Sequence, residues 1–368
     1  MATKVVSRRV LNRALLERQL LVRRCKLRPA AAIERLVGLQ AQATNPPFHG
    51  LWSRLVNFDQ RQLDELITSR QVVRAATMRG TLHLHTADDF LTIRAVVQPG
   101  FERAMQSTYA KVLDGMDVNE LAKVGRELLA GEPLTFGQLR DGLLARWPGR
   151  HPTMVTNAVR TQVPLVQVPP CGTWDRSGPR VYTTIEKWLD RPVSAEPAGE
   201  SLISRYLSVF GPATVADVQN WSGLTRLGEV VERMRPTLRT LRTEDGAELF
   251  DLPRGALPDP DLPVPVRLVA EFDNVVLGHA DRSRIVPDKY RKRIMTVNGI
   301  VRGTVLSDGF VAGLWKIQRT KTAATLVVTP FSVLDQEATE AEALSLLRFT
   351  APTSEHQVSF EAGTERQG

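Results

Sequence analysis

The chain has 368 residues, 42% of them hydrophobic and 24% charged, with a formal net charge of +8. That length accommodates several small domains with cores of their own, in proportions ordinary for a soluble globular protein. Cys25 and Cys171 stand far apart, which argues against a disulfide framework and a cysteine-based zinc site, and no apolar stretch has the length of a bilayer span or the form of a signal-peptide core. A cytoplasmic protein without membrane contact is expected. The positive balance favours a polyanionic partner, and it is segregated. Residues 1–35 hold ten Lys or Arg against Glu17 and Glu34, and Arg282, Arg284, Lys289, Arg291, Lys292 and Arg293 face only Asp281 and Asp288.

Taken in chain order, residues 1–115 read as the most helical part. Helices are expected over 5–24 and 29–40, then two shorter ones, then mostly strand over 72–85 and a helix from about Thr86. This region reads as an embellished winged helix. Residues 116–190 give a plainer version: a helix over 118–130, a second capped by Thr135, a third over 152–162, a strand over 165–168, a Pro/Gly-rich loop and a returning strand over 180–183. Beyond the linker 191–199 the same order recurs in 199–258. Helices cover 202–210, 214–221 and 225–235, and strands over 237–243 and 247–252 flank the hairpin signal Asp245-Gly246. Residues 259–368 then become β-rich, with strands over 267–272, 303–307, 310–318 and 325–329, a hairpin at Ser307-Asp308-Gly309, a helix over 337–348 and frayed last residues. The fold class is α+β: three tandem winged helix-turn-helix units and a C-terminal β-barrel-like region.

No phosphate-binding Gly loop, Gly-x-Ser-x-Gly or His-Glu-x-x-His sequence is present. The informative residues are polar ones in apolar patterns. Ile33, Leu36 and Val37 form a stripe that Gln40 would continue, and burying an unpaired amide costs about 1–3 kcal/mol. Asn45-Pro46-Pro47 disfavours a longer helix. In an extended segment Gln40 and Gln42 share a face and could converge on one point, although helix capping and loop bonding would use the same amides. A strand over Thr77–His85 would place Met78, Leu82 and Leu84 on one face and Arg79, Thr81, His83 and His85 on the other. His-x-His without a third ligand is weak evidence for a metal, so phosphate or base contact, or a solvated face, is the reading there. His279, Arg282 and Arg284, with Phe272-Asp273-Asn274 upstream, suit either phosphate contacts or a charged turn.

Four stretches together carry a resemblance. They are Leu39-Gln40-Ala41-Gln42-Ala43 before Asn45-Pro46-Pro47; Met78-Arg79-Gly80-Thr81-Leu82-His83; Phe210-Gly211-Pro212-Ala213-Thr214 through Trp221-Ser222-Gly223-Leu224; and Phe272-Asp273-Asn274 through Gly278-His279-Ala280-Asp281-Arg282-Ser283-Arg284. In order and spacing the chain resembles the AlkZ-like bacterial winged-helix DNA glycosylases, the crosslink-unhooking group. The resemblance implies a basic DNA channel and a catalytic Gln-x-Gln pair at Gln40 and Gln42, the first placing the hydrolytic water and the second touching water or deoxyribose. It implies removal of bulky N7-alkylpurines or interstrand crosslinks, often as self-resistance to a genotoxic natural product. Arg79, Thr81, His83, His85, His279, Arg282 and Arg284 would then meet DNA. The expected partner is duplex DNA carrying alkylated purines, with no metal, no cofactor and a monomeric protein. The competing reading is a non-enzymatic winged-helix transcriptional regulator, in which the two glutamines are structural.

Overall fold

Helix ends and turns, more than helix bodies, decide how this chain is laid out. The computed structural model describes residues 4–109, 115–194 and 198–362. In the first region Val5–Val6 (β1) is a strand, and the helix Arg8–Arg18 (α1) follows, with the Ser7 hydroxyl capping the Val10 N–H. The helix expected over 5–24 stops because Leu20 takes a left-handed φ of 61°.

Pro29–Arg35 (α2) likewise falls short of residue 40. The Val37 N–H bonds Glu34 O, the Gly38 N–H bonds Ile33 O, and both residues are left-handed, at φ 55° and 88°. This is a helix-ending motif that usually employs glycine at its first left-handed position, so the β-branched Val37 is strained. At Gly38 a Cβ would stand 2.3 Å from the His85 ring. The chain therefore leaves as strand Leu39–Gln40 (β2). Pro46 and Pro47 do not break a helix but open one, Pro46–Trp52 (α3), since their fixed φ suits a first turn. Gln60–Thr68 (α4) starts at a capping box between Asp59 and Gln62.

The strand expected over 77–85 is instead a hairpin. Val72–Ala76 (β3) and Leu82–Thr86 (β4) are antiparallel, joined by a 3-10 turn at Met78–Gly80 in which Arg79 has φ 56°. Ala87–Tyr109 (α5) completes the region.

The second region contains Val118–Leu129 (α6), Leu134–Thr135 (β5), Phe136–Arg146 (α7), Pro152–Gln162 (α8), Leu165–Gln167 (β6), Val181–Thr184 (β7) and Ile185–Leu189 (α9). The third contains Gly199–Phe210 (α10), Val215–Ser222 (α11), Leu227–Met234 (α12), Arg239–Thr243 (β8) and Glu248–Asp251 (β9). Capping boxes at Thr135–Gln138 and Thr214–Asp217 start α7 and α11. The last region has Arg267–Val269 (β10), Asn274–Leu277 (α13), Arg291–Ile294 (α14), Thr304–Ser307 (β11), Phe310–Arg319 (β12), Ala323–Pro330 (β13), Gln336–Thr350 (α15) and Glu355–Phe360 (β14). Strand β14 lies where fraying was expected, and it pairs parallel to β13 along its length.

The fold is thus mixed α+β, with three sheets among the described residues. The five-stranded sheet runs β10-β11-β12-β13-β14 and its end strands do not meet, so the expected barrel is an open sheet. A six-stranded sheet, β2-β4-β3-β6-β7-β5, joins the first and second regions, and its seam is the pairing of Arg74 with Gln167 and Ala75 with Val166. The third sheet sets β1 parallel to β8, beside β9.

One apolar core runs through the first, third and last regions, including Leu15, Ile33, Phe48, Tyr206, Trp221, Val276 and Leu326. The second region has a separate core around Leu121, Leu139, Leu143, Val155 and Val159. Buried ion pairs add specificity to the larger core. Arg18 reaches Asp251, and Arg54 grips Asp273 with two bonds of 2.8 Å. Deleting one partner of such a pair costs about 3–5 kcal/mol, because the other charge is left buried alone.

Candidate active site on the Gln-Ala-Gln strand

The left-handed turn at Val37–Gly38 throws residues 39–42 across the open edge of β4. Gln40 is in register with His83, and the Ala41 N–H bonds Leu82 O at 2.7 Å. Gln40 is 8% exposed, and its Oε1 accepts from Arg79 Nη2 at 2.8 Å. Gln42 is exposed, and its Oε1 accepts from the Leu82 backbone N–H at 2.8 Å. Both acceptors face obligate donors, which fixes the orientation of the two amides. Each carbonyl keeps a second lone pair, and neither Nε2 has a protein partner among the described residues. Gln40 ends the extended strand β2, whereas Gln42 lies in the bend just beyond it, so the common extended face expected for the pair is formed only as far as Gln40. The turn at residues 37–38 produces the strand, rather than the prolines.

Arg79 occupies the hairpin tip. Besides Gln40 it donates to the Trp221 carbonyl, and Gly223 lies so close that a Cβ there would be 3.1 Å from the Arg79 backbone. Burial, reinforced by the Arg282 charge, lowers the Arg79 guanidinium to about 10. Burial and the nearby Arg291 lower Arg282 as well. None of these three arginines has an acidic partner among the described residues, so a line of uncompensated positive charge leads to Gln40. Thr81 is half-buried and bonds Met78 O at 3.1 Å.

Four residues expected to meet DNA are corrected, because the fold turns them inward. His83 and His85 are fully buried, with His85 Nε2 2.9 Å from the Thr77 hydroxyl and His83 Nδ1 3.0 Å from Thr81 O. Desolvation holds His85 down at about 3 and His83 well below the usual imidazole range. His279, 2% exposed, donates from Nε2 to Phe210 O, and burial lowers it to about 3. Arg284, 6% exposed, donates to Pro212 O at 2.7 Å. Neutral rings and inward-bonded cations offer nothing to phosphate.

The comparisons with known proteins converge on one family. A model of the AlkZ-like DNA glycosylases matches residues 33–349. The chain belongs to the AlkZ-like DNA glycosylase family. An interstrand DNA cross-link repair glycosylase of Streptomyces sahachiroi is 24% identical over 352 residues, spanning 88% of this chain and 91% of that protein. The solved structure of Streptomyces sahachiroi DNA glycosylase AlkZ is similar with a TM-score of 0.79 at 21% identity, covering 97% of this chain and all of that one. A DNA glycosylase of this family is an enzyme that acts on DNA.

Within that family assignment, two residues stand behind the glutamines, Asn274 in a role other than the one expected and Arg74, which the sequence reading did not single out. Asn274 Nδ2 holds the Gly38 carbonyl at 2.9 Å, so the Phe272-Asp273-Asn274 stretch braces the turn instead of touching a ligand. Arg74 holds the Ala41 carbonyl. Its signal was available: a cation inside the apolar run Val72-Val73-Arg74-Ala75-Ala76. Two grooves flank residues 39–43. One of about 470 Å³ is lined by Gln42, Gly80, Phe136, Arg160, Arg180 and Tyr182. The other, about 580 Å³, begins at Ala43 and includes His49, Glu271, Trp315, Lys316 and Arg319. Desolvation raises the Glu271 carboxyl. No group of three metal-ligating side chains occurs among the described residues.

Proposed function

We propose that this DNA glycosylase releases bulky N7-alkylpurines, interstrand crosslinks included, from duplex DNA, with Gln40 and Gln42 as the water-handling pair. The anchored amides carry this reading. Each glutamine is immobilised through its carbonyl oxygen while its NH₂ group and second lone pair remain available, an arrangement suited to orienting water. An N7-alkylated purine already bears positive charge. When its C1′–N9 bond breaks, the bonding electrons pass to the base, which leaves neutral. Water oxygen bonds C1′, and its proton goes to solvent. Such a reaction asks for placement of water more than for a strong base. The Arg79 guanidinium polarises the Gln40 amide and makes its N–H groups better donors.

Arg291 and Arg282 supply phosphate contacts toward the Gln40 end, Arg79 acts on the Gln40 amide it grips, and Arg160 and Arg180 lie beside Gln42. In this reading the three helical regions serve as winged helices that deliver DNA to the strand, the protein works as a cytoplasmic monomer, and its role is self-resistance to a DNA-alkylating natural product. The relative from Streptomyces sahachiroi, an interstrand DNA cross-link repair glycosylase, supports the substrate class. The test is incubation with duplex DNA containing an N7-alkylguanine, followed by chromatography of the released base. Free alkylated base from the wild type, lost in Gln40→Ala, is the expected result. Tight duplex binding with no base released would overturn the proposal.

A further inference from the structure

Arg74 sits at the centre of strand β3, 3% exposed, at the seam where the first and second regions share a sheet. Its Nε and Nη2 both donate to the Ala41 carbonyl, at 3.0 and 2.6 Å. Its Nη1 donates to Gln167 Oε1 at 2.6 Å, and the Cys171 sulfur lies 3.8 Å away. No carboxylate pairs with it among the described residues. A buried cation satisfied only by neutral oxygens is an expensive way to fill an apolar strand position, so the fork on Ala41 calls for an explanation beyond packing. Gly172, at φ 99°, closes the remaining side: a Cβ there would be 3.1 Å from Arg74 Cδ.

Ala41 separates the two glutamines. With its N–H on Leu82 O and its carbonyl in the guanidinium fork, the peptide between Gln40 and Gln42 cannot rotate about either neighbour. Arg74 is fixed in turn from the second region. Gln167 Nε2 donates to the Tyr182 hydroxyl at 2.7 Å, and Tyr182 stacks on Phe136 at 3.9 Å between ring centres. The Arg160 guanidinium lies 4.4 Å over the other side of that pair, at Phe136. The chain of contacts ends in the groove that Gln42 lines.

We propose that Arg74 is a positioning residue of the glycosylase: its fork on the Ala41 carbonyl fixes the backbone from which both glutamine side chains extend to their own partners, and Gln167 and Tyr182 of the second region set Arg74. The inference rests on the reading that Gln40 and Gln42 handle the water.

The test follows single-turnover base release from an N7-alkylguanine duplex at saturating enzyme, with duplex affinity and melting temperature measured on the same proteins. Arg74→Lys keeps the charge and loses the fork. It should slow release by about 10–100-fold, as small misplacements of catalytic groups do, with affinity for the duplex unchanged. Arg74→Ala should lose as much and recover when methylguanidinium refills the cavity, whereas Gln40→Ala should gain nothing from it. Gln167→Leu, which spares every contact with Ala41, should lose less in the same direction. Should Arg74→Ala not fold, Arg74→Lys and Gln167→Leu decide. Wild-type release rates in folded Arg74→Lys, losses that merely track affinity or melting temperature, or a folded Arg74→Ala that methylguanidinium does not rescue would each overturn the inference. Normal release by Gln40→Ala and Gln42→Ala would instead overturn the reading beneath it.

Discussion

The second and third regions both contain three helices followed by a pair of strands, the second with an added short strand and closing helix, yet they are joined to the molecule in different ways. In the third, Tyr206, Phe210, Trp221 and Val231 belong to the main core, and β1 extends its sheet. The second keeps its own core and meets the first region along two register pairs of β3 and β6, through a small buried cluster of Val73, Ala75, Phe90 and Leu91 with Val166 and Ile185, through Met105 of α5, and through Trp174 against Phe48. The difference matches what each lends to the site. The third region supplies the Trp221 carbonyl that pins Arg79, a contact that must not drift if Gln40 is to stay oriented. The second supplies the cations beside Gln42, on a body whose own core is separate and which joins the first region through the β3–β6 pairing and a smaller shared cluster. Similar units can thus act as foundation or as appendage, according to which core they enter.

Unequal attachment makes the comparison breakable. The largest effect is expected from Trp221→Ala. Truncating a fully buried tryptophan costs about 3–5 kcal/mol, and because its core is shared the first, third and last regions should lose stability together in calorimetry. Leu143→Ala, also fully buried, should cost about 2–5 kcal/mol but stay local. Hydrogen exchange should rise across α6–α8 and β6–β7 and hold elsewhere; an equal rise in α10–α12 would show that the two regions are not separable.

Acid offers a third probe. His83, His85, His279 and His49 all have pKa values lowered by burial, His49 to about 4, and all lie outside the second region's core. Folded values below the unfolded ~6.5 mean that the unfolded chain binds the extra protons. Their stabilisation is therefore complete above pH 6.5 and is lost as pH falls from there toward 3. Circular dichroism melts should show the main body weakening first, with the second region's transition the less affected. The smallest effects separate the glutamines. Gln40→Ala leaves a buried Arg79 N–H without its acceptor and should cost about 1–3 kcal/mol, whereas Gln42→Ala removes an exposed bond and should cost about 0.5–1.5 kcal/mol in denaturant titrations.

Features written in a few adjacent residues were legible in the sequence. Thr135 and Thr214 as caps, Asp245-Gly246 and Asp308-Gly309 as turns, and α8 at Pro152–Gln162 all follow from local chemistry. The glutamines were legible as polar interruptions of an apolar pattern, but the turn that carries Gln40 into a strand was not. A left-handed valine runs against its own preference, and only the braced surroundings, Asn274 on Gly38 among them, hold it there. The 77–85 hairpin was hidden because apolar alternation continues through its tip. The histidines misled for a related reason. A neutral imidazole with one good hydrogen bond can be buried, and sequence alone does not report its protonation.

Strand β1 bears on the order in which this protein can fold as it is made. Val5 pairs with Arg242, Arg13 meets Asp308, and Asn12 bonds the Gly309 carbonyl. Strand β1 therefore has no strand partner until the third region has emerged, and the contacts of Asn12 and Arg13 wait for the β11–β12 hairpin. The second region has its own core residues, and the first-region residues it packs on, much sooner. Synthesis should thus produce the appendage first and the foundation last, with the segment that carries both glutamines meeting its β4 partner early but gaining Asn274 and Trp221 only near the end.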